Sequence, residues 1–252
     1  MSRRSETGGG GPDPGPGVPL VDRVALVTGA SGGIGLAICR ALASAGASVL
    51  LVARRAEPLR AAARAVGGLA LPADVTDAGE VERLRARAAA AGGSEPEIVV
   101  GAAGAFELGQ VVETPVESFD RMLAVNLRAP FLLARAFLPG MLARRAGHFV
   151  TIGSVAGRVA FPENGAYSAS KFGVRGLHAV LDAELRGTGV RATLVEPGAT
   201  DTALWDGIDR RRHRGLPERA AMLAPEAVAA AVMFAVTRPP GVDVRTLLLE
   251  RT

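Results

Sequence analysis

The sequence has few of the residues that support disulfides, base stacking or membrane insertion. Cys39 is the only cysteine, so no internal disulfide can form and an oxidising compartment gains no support. Aromatic residues make up 4% of the 252-residue chain, too few for the platforms on which nucleic-acid bases stack. No uninterrupted apolar run approaches the roughly 18 residues of a membrane span. We therefore predict a cytoplasmic protein that binds neither nucleic acid nor a membrane.

Charge and histidine content add little evidence for a charged ligand. The net charge is +4, but the arginines are spread along the chain beside nearly as many acidic residues. Only the segment DRRRHRG at 209–215 is densely basic, and we interpret it as a solvated loop, with an anion site as the alternative. The three histidines, His148, His178 and His213, lack metal-ligand spacing, so we expect no metal site and interpret them as structural or exposed.

Composition divides the chain into two parts. Residues 1–19 are rich in glycine and proline and contain little that could pack, which predicts a disordered leader. Residues 20–252 have no internal linker or repeat, and their length is compatible with a single dinucleotide-binding catalytic domain.

Short apolar runs alternate with longer helical segments from residue 21 onward. The runs are too continuous for half-exposed strands, and the alternation implies right-handed βαβ units. We therefore predict an α/β fold: a single Rossmann-type, doubly wound parallel sheet of about seven strands, with helices on both faces. The predicted strands are 24–28, 48–53, 68–73, 97–102, 148–153, 191–196 and 244–250. The predicted helices are 34–46, 57–66, 77–91, 117–143, 165–187 and 225–237.

A glycine-rich segment, TGASGGIG at 28–35, joins the first predicted strand to the first helix. Glycines at this turn let the backbone approach a pyrophosphate, and the helix N-terminus supplies free N–H groups and a positive dipole end. A strand before and a helix after make this pattern more specific than glycines alone. The candidate cofactor residues here are Thr28, Gly29, Ser31, Gly33, Ile34 and Gly35.

The end of the second strand predicts which nucleotide binds. An acidic residue there would bind the adenosine ribose of NAD, but this strand ends in Ala53, followed by Arg54 and Arg55. Arginine suits a 2′-phosphate, so we predict NADP(H) rather than NAD(H). After the third strand, Asp74 and Val75 are candidates for the adenine side; the alternative role of Asp74 is to cap the helix that begins near residue 77.

The segment YSASK contains the only tyrosine and the only lysine of the chain, Tyr167 and Lys171. A spacing of four residues places them on one face of a helix, within contact distance. A phenol has a pKa of about 10, and a neighbouring ammonium lowers it, which makes the phenol a usable proton donor and acceptor at neutral pH. We therefore predict a proton-transfer pair, the alternative being a chance spacing on an amphipathic helix.

With these motifs, the chain resembles the classical short-chain dehydrogenase/reductase family over roughly residues 21–250. The glycine motif of the family matches Thr28, Gly29, Gly33 and Gly35, and its active-site pair matches Tyr167 and Lys171. Its active-site serine matches Ser154 in IGSVAGR, and its catalytic asparagine matches Asn126 in AVNLRAP. Its nicotinamide-side motif matches Pro197, Gly198 and Thr202 in EPGATDT, with Thr200 expected beside them.

The resemblance implies an NADP(H)-dependent enzyme that interconverts a carbonyl and a secondary alcohol by hydride transfer. In this family pattern Ser154 binds the carbonyl oxygen, Tyr167 is the general acid and base, and Lys171 holds the nicotinamide ribose. Asn126 would position a water between Lys171 and solvent. The resemblance also implies a homodimer or homotetramer. The alternatives are a 3-oxoacyl-carrier (ACP or CoA) reductase, which the basic loop favours weakly, and a non-catalytic NADP-binding sensor.

One segment departs from the family pattern. After the fourth strand the family usually has Asn-Asn-Ala-Gly, whereas this chain has Gly101, Ala102, Ala103 and Gly104. The missing amides would help to tie neighbouring strands together near the cofactor, so we expect a weaker tie there. Ala103 and Gly104 remain candidate cofactor contacts.

A small-molecule carbonyl or alcohol is the predicted substrate, bound among three loops near 104–114, 155–164 and 203–222. These loops offer an apolar lining, and Trp205 is either a lid over the substrate or part of the core. The predicted pocket residues are Phe106, Phe161, Leu204 and Trp205, and Leu108, Val159 and Met222 are further candidates.

Overall fold

The computed structural model describes residues 18–213, 215–239 and 241–252. Within them seven parallel strands form one sheet in the order β3-β2-β1-β4-β5-β6-β7, which confirms the predicted fold. Most of the predicted 1–19 leader, residues 1–17, lies outside the described residues. The strands are β1 Val24–Thr28, β2 Ser48–Ala53, β3 Leu69–Pro72, β4 Ile98–Gly101, β5 Gly147–Ile152, β6 Val190–Pro197 and β7 Thr246–Leu249.

Side chains alternate across the sheet and supply two separate cores. In β1, Val24 and Leu26 pack on one face, while Ala25 and Val27 pack on the other. Helices α3, α5 and α6 cover the first face, and α1, α2 and α7 cover the second. The helices are α1 Gly33–Ser44, α2 Ala56–Val66, α3 Ala78–Gly92, α4 Val116–Leu123, α5 Ala129–Ala143, α6 Gly165–Leu185 and α7 Pro225–Val236.

The helix predicted at 117–143 is interrupted, which corrects the expectation of one continuous helix. A π-helical segment, Ala124–Arg128, separates α4 from α5. Pro130 lies in the first turn of α5 and has no N–H to donate to the carbonyl of residue 126, so the regular hydrogen-bond ladder cannot run through this point. Asn126 lies in this segment, and its side chain makes tertiary hydrogen bonds instead.

By length and composition alone, the stretch Val116–Ala143 could cross a membrane. However, 56% of its most apolar window is buried inside the protein. Leu133, Phe137 and Met141 of α5 belong to the core on the first face of the sheet. These contacts are those of a core helix.

The strand order reverses direction between β1 and β4. From β1 the chain builds outward to β2 and β3, and then returns to add β4 to β7 on the other side. In open α/β sheets the connections diverge at such a point and leave a crevice at the carboxyl ends of the strands. The loops after β1, β4 and β5 therefore converge where the predicted site residues lie.

Candidate active site

The turn between β1 and α1 forms one wall of a cavity of about 580 Å³. Gly29 has a φ of +67°, and a Cβ there would lie 2.7 Å from the carbonyl oxygen of Ala102. A Cβ on Gly35 would lie 2.4 Å from the carbonyl oxygen of Gly29. Only glycine therefore allows this close packing. No side chain caps α1, so the N–H groups of its first turn remain available where Gly33 and Ile34 line the cavity.

Most of the predicted cofactor residues share this cavity. Among the predicted residues of the glycine turn, Thr28 does not line the cavity, because it is fully buried behind the cavity wall. Sequence reasoning missed Glu107 and Arg121, which also line the cavity and form an ion pair between the β4–α4 loop and α4. No local pattern links these two residues, since only the tertiary fold pairs them. The predicted residues that line the cavity are Gly29, Ser31, Gly33, Ile34, Gly35, Arg54, Arg55, Asp74, Val75, Ala103, Gly104 and Thr202.

The two arginines after β2 lie exposed at the cavity. Burial raises the pKa of the nearby Asp74 carboxyl, but hydrogen bonds from Thr76 and the charge of Arg54 outweigh that effect, so its pKa lies below the ordinary value. Asp74 accepts hydrogen bonds from Thr76 N at 2.9 Å and Thr76 Oγ1 at 2.7 Å. The alternative capping role of Asp74 is wrong: Asp77 caps α3 by accepting from the Glu80 N–H at 2.7 Å.

Thr28 ties β1 to β4 at the segment that lacks the asparagine amides. Its Oγ1 accepts hydrogen bonds from the N–H groups of Ala102 at 3.1 Å and Ala103 at 3.2 Å. The same hydroxyl lies 3.4 Å from the carbonyl oxygen of Val100 in β4. The carboxyl ends of β1 and β4 are therefore joined through one buried hydroxyl.

A second cavity, of about 530 Å³, contains the predicted reactive groups. It shares Ile34, Ala103, Gly104 and Thr202 with the first cavity, so the two adjoin. The fold thus brings together residues from β5, α6 and the loop after β6. The predicted site residues that line this second cavity are Ser154, Tyr167, Lys171, Pro197, Gly198, Thr200 and Thr202.

Tyr167 and Lys171 lie one turn apart at the start of α6. The Lys171 Nζ lies 5.6 Å from the centre of the Tyr167 ring and donates a hydrogen bond to the carbonyl oxygen of Ile152 at 3.1 Å. Burial lowers the pKa of Lys171 from 10.5 to about 8. Burial also raises the pKa of Tyr167, and a hydrogen bond with Ser154 offsets only part of that rise. The expected lowering of the Tyr167 pKa is therefore wrong for this structure, because loss of hydration disfavours the phenolate.

Ser154 stands directly after β5, at the start of a 3₁₀ turn, Val155–Gly157. Its Oγ accepts a hydrogen bond from the Ala156 N–H at 3.1 Å and so caps the turn. This fixes the serine side chain, whose hydroxyl also forms a hydrogen bond with Tyr167, so the two hydroxyl groups lie side by side at the cavity.

Asn126 lies behind the cavity and is buried. Its Oδ1 accepts from the Ala105 N–H, and its Nδ2 donates to the Ala105 carbonyl, both at 2.9 Å. Nδ2 also donates to Ser170 Oγ at 2.9 Å, and Ser170 donates to the Tyr167 carbonyl at 2.6 Å. Asn126 thus joins the β4–α4 loop to α6 and positions both cavity walls.

Residues 23–213 match the short chain dehydrogenase family. The chain belongs to this family. It is therefore an oxidoreductase, and its single parallel sheet is that of a short-chain dehydrogenase.

Several known short-chain dehydrogenases and related proteins are similar along most of the chain. A metagenomic short-chain oxidoreductase, solved in complex with NADP, is 35% identical with a TM-score of 0.78, covering 93% of this chain and 99% of that one. An alcohol dehydrogenase from Thermococcus sibiricus, complexed with 5-hydroxy-NADP, is 30% identical with a TM-score of 0.81, covering 91% and 97%. A glycine betaine reductase from Emericella nidulans is 38% identical over 92% of this chain, but the chain spans only 19% of that protein's length.

The wall opposite the reactive groups of this dehydrogenase is aromatic. The Phe106 ring contacts the Tyr167 ring edge-on, with centroids 4.8 Å apart, and the Trp205 ring at 4.9 Å. Trp205 donates its indole N–H to the Thr200 carbonyl at 3.1 Å and lines the cavity, so it is not part of the core. The other predicted pocket residues that line it are Phe161, Leu204 and Leu108.

Two of the further pocket candidates are wrong. The backbone at Met222 is extended, so consecutive side chains point to opposite sides. Because its neighbours Ala221 and Leu223 line the cavity, the Met222 side chain lies in the core. Val159 is exposed and does not line the cavity.

None of the described arginine side chains of the basic segment 209–215 lines the cavity, although Arg210 donates a hydrogen bond to the carbonyl of Pro217, which does. Arg210 pairs with Glu218, and Arg211 and Arg212 pair with Asp209. The side chains of Arg211 and Arg212 are 92% and 82% exposed. None of the three lines the cavity. The solvated-loop interpretation fits this arrangement, and the case for a carrier-bound anionic substrate loses its main support.

The histidines have different roles. His148 and His178 are buried, and burial lowers their pKa values to about 3 and about 4. His213, in the basic segment, approaches the Glu163 carboxylate with Nδ1 at 2.8 Å from Oε2. Across residues 18–213, 215–239 and 241–252, no group of three or more His, Cys, Asp or Glu side chains could hold a metal ion.

Proposed function

We propose that this short-chain dehydrogenase is NADP(H)-dependent and interconverts a small carbonyl compound and a secondary alcohol. One observation carries the proposal: Ser154, Tyr167 and Lys171 line a single cavity that adjoins the glycine turn. Proton donors thus stand next to a place suited to a dinucleotide. The cytoplasmic location and the small-molecule substrate belong to the same proposal.

The donor set of the first cavity fits the proposed cofactor. The α1 N-terminus has free N–H groups and no acidic residue in its first turn, which suits a pyrophosphate. Arg54 and Arg55 stand at the other end without a carboxylate partner in the described parts of the chain, which suits a 2′-phosphate. The relatives solved with NADP and 5-hydroxy-NADP support this choice. When bound, the nicotinamide supplies or accepts the hydride.

The chain's own groups handle the proton. Ser154 donates a hydrogen bond to the substrate carbonyl oxygen, and Tyr167 transfers its phenolic proton to the same oxygen as negative charge develops there. The raised pKa keeps Tyr167 protonated at neutral pH, which is the form that carbonyl reduction needs. Lys171, with a pKa of about 8, is still charged at neutral pH and stabilises the phenolate that remains.

The proposed assembly is a homodimer or homotetramer. Exposed apolar side chains cluster on α4, α5 and α6, the helices that would form the first interface. They include Phe119, Phe131, Phe172 and Val180. Light scattering of the purified protein tests this point, and a monomer at micromolar concentration would contradict it.

The decisive experiment removes only the phenolic hydroxyl. Tyr167→Phe should lower kcat by about 10²–10⁴-fold, the usual contribution of a general acid. NADPH binding, measured by nucleotide fluorescence, should remain because the ring and Lys171 are kept. Phe234→Tyr, at an exposed position on α7 outside the proposed interface, is the matched control and should keep full turnover. Substantial turnover by Tyr167→Phe would refute the assigned role.

A further inference from the structure

The cavity beside Tyr167 holds a large share of the aromatic side chains of the protein. The chain has eight Phe, one Trp and one Tyr, ten aromatic residues in all. Four of them, Phe106, Phe161, Tyr167 and Trp205, line this one cavity. The rings come from four separate segments, so only the tertiary fold brings them together. Such a concentration provides several ring faces for one ligand.

The rings are held at large angles to one another. Phe106 is inclined by 75° to Tyr167 and by 60° to Trp205. The indole of Trp205 is held by its hydrogen bond to the Thr200 carbonyl. Rings inclined in this way present faces in different directions around a shared space. Ring faces carry negative quadrupole density and attract alkylated ammonium groups.

One carboxylate lies at the same cavity and is tied into place. Glu163 lines the cavity four residues before Tyr167, with its side chain 29% exposed. Its backbone has a φ of +63°, and its carbonyl accepts a hydrogen bond from the Gly109 N–H at 2.8 Å. Its carboxylate contacts His213 at 2.8 Å. All three loops around the cavity therefore converge on Glu163, which holds its negative charge in a defined position.

Two basic side chains line this cavity, and each donates a hydrogen bond to a backbone carbonyl. Lys171 donates to the Ile152 carbonyl beneath Tyr167, and Arg251 donates to the Met222 carbonyl at 2.9 Å. Glu250 lines the cavity as a second acid. Arg211 and Arg212 of segment 209–215 face solvent. Lys171 lies against the Tyr167 ring, so the other three rings, those of Phe106, Phe161 and Trp205, are the ones that share the cavity with Glu163 and have no cation stacked on them in the described residues.

We propose that the substrate is a small aldehyde or ketone that carries an alkylated ammonium group, bound by the aromatic rings and Glu163. This inference rests on the proposed carbonyl reduction and extends it from ketones to aldehydes, whose reduction gives primary alcohols. An alkylated nitrogen fits better than a primary ammonium, because the apolar rings cannot satisfy three N–H donors. The positive group would lie against the rings while the carbonyl oxygen faces Ser154 and Tyr167.

A matched pair of substrates compares a cationic with a neutral head group of the same shape. Trimethylammonioacetaldehyde is cationic and tert-butylacetaldehyde is neutral; because the ammonium also makes its carbonyl more electrophilic and more hydrated, the contribution of the rings and Glu163 is measured by the change in the cation-to-neutral ratio in the variants below. With NADPH as the second substrate, the wild-type protein should show a kcat/KM at least about tenfold higher for the cation, the range expected for a partly desolvated cation–π contact plus one carboxylate. Equal rates, or a preference for the neutral aldehyde, would overturn the proposal.

Variants then identify the source of the preference. Glu163→Gln keeps an acceptor for His213 and removes the charge, and should reduce the cation-to-neutral ratio about fivefold. Trp205→Leu should reduce the same ratio, and it provides the test if the Glu163→Gln variant does not fold. Glu113→Gln, an exposed charge change outside the cavity, should leave both rates unchanged. A parallel fall for both aldehydes in Glu163→Gln would mean that Glu163 only holds the loops, and would contradict the assignment.

The same measurements distinguish failure of the ammonium assignment from failure of the proposed reductase function. If the neutral aldehyde or simple ketones are reduced without a cation preference, only the ammonium assignment is lost. If NADPH binds but no carbonyl compound of either kind is reduced, the reductase proposal itself is wrong.

Discussion

Thr28→Val removes the buried hydroxyl that joins β1 to β4 while nearly preserving side-chain volume. Thr28 is fully buried, and its Oγ1 accepts from the N–H groups of Ala102 and Ala103. Valine leaves both donors without this partner. An unsatisfied buried donor costs about 1–3 kcal/mol, and both alanines are only partly buried, so we expect a total loss of about 2–3 kcal/mol.

The expected result is a lower melting temperature and weaker nucleotide binding. For a domain of this size, each 1 kcal/mol shifts Tm by about 2–4 °C, so Thr28→Val should melt about 4–12 °C lower in a circular dichroism scan. Because Ala103 and Gly104 line the nucleotide cavity, the KM for NADPH should also rise.

Thr28→Ser is the matched control, because it keeps the hydroxyl and deletes one methyl group. That deletion should cost about 1 kcal/mol. Thr28→Val should therefore be the less stable of the two variants. If Thr28→Val equals or exceeds Thr28→Ser in stability, packing of the methyl group dominates, and the hydroxyl tie between the strands would be refuted.

Two further predictions concern the cofactor and the buried lysine. Replacing both Arg54 and Arg55 by Ser should lower kcat/KM for NADPH by about 10–100-fold, since charged hydrogen bonds are worth about 1.5–3 kcal/mol, and should leave kcat/KM for NADH almost unchanged. The control is Arg60→Ser, because the Arg60 side chain pairs with Glu57. Equal losses for both nucleotides would contradict the assignment. Lys171 has a pKa of about 8 when folded and 10.5 as its ordinary value, so between these pH values the unfolded chain binds a proton that the folded chain has released, and the Lys171 contribution to stability rises with pH by about 3 kcal/mol. Burial raises the pKa values of Cys39 and Tyr167, and their contributions fall over the upper part of this range. The quantity to measure by urea unfolding is therefore the stability of the wild type minus that of Lys171→Met, which should grow by about 3 kcal/mol across the range; a constant difference would argue against it.

The architecture could be predicted because buried parallel strands have continuous apolar sequences. β1 and β2 have the predicted bounds, and the other strands differ by one or two residues at their ends. The break between α4 and α5 was not predicted, although Pro130 is a local signal for it; what the sequence could not show is that Asn126 contacts Ala105, 21 positions away in the chain. Contacts between residues so far apart in the chain leave no periodic pattern in the local sequence.

The candidate site was predictable to a different degree in each of its parts. The glycine turn and the Tyr-Lys spacing depend on neighbours in sequence, so their residues could be named in advance. Glu163, in contrast, carries no motif, and its position depends on contacts with Gly109 and His213 from two other loops. The local sequence also could not show that the Met222 side chain is buried in the core and does not line the cavity.

The amino-acid sequence by itself determined the α/β alternation, the position of the dinucleotide turn and the spacing of Tyr167 and Lys171, because these depend on periodicity and backbone geometry over a few residues. The tertiary structure alone decided the direction of the Tyr167 pKa shift, the grouping of four aromatic rings in one cavity and the outward position of Arg211 and Arg212. The reason is that burial and charge environment are sums over groups from distant segments, and such sums exist only once the chain has folded.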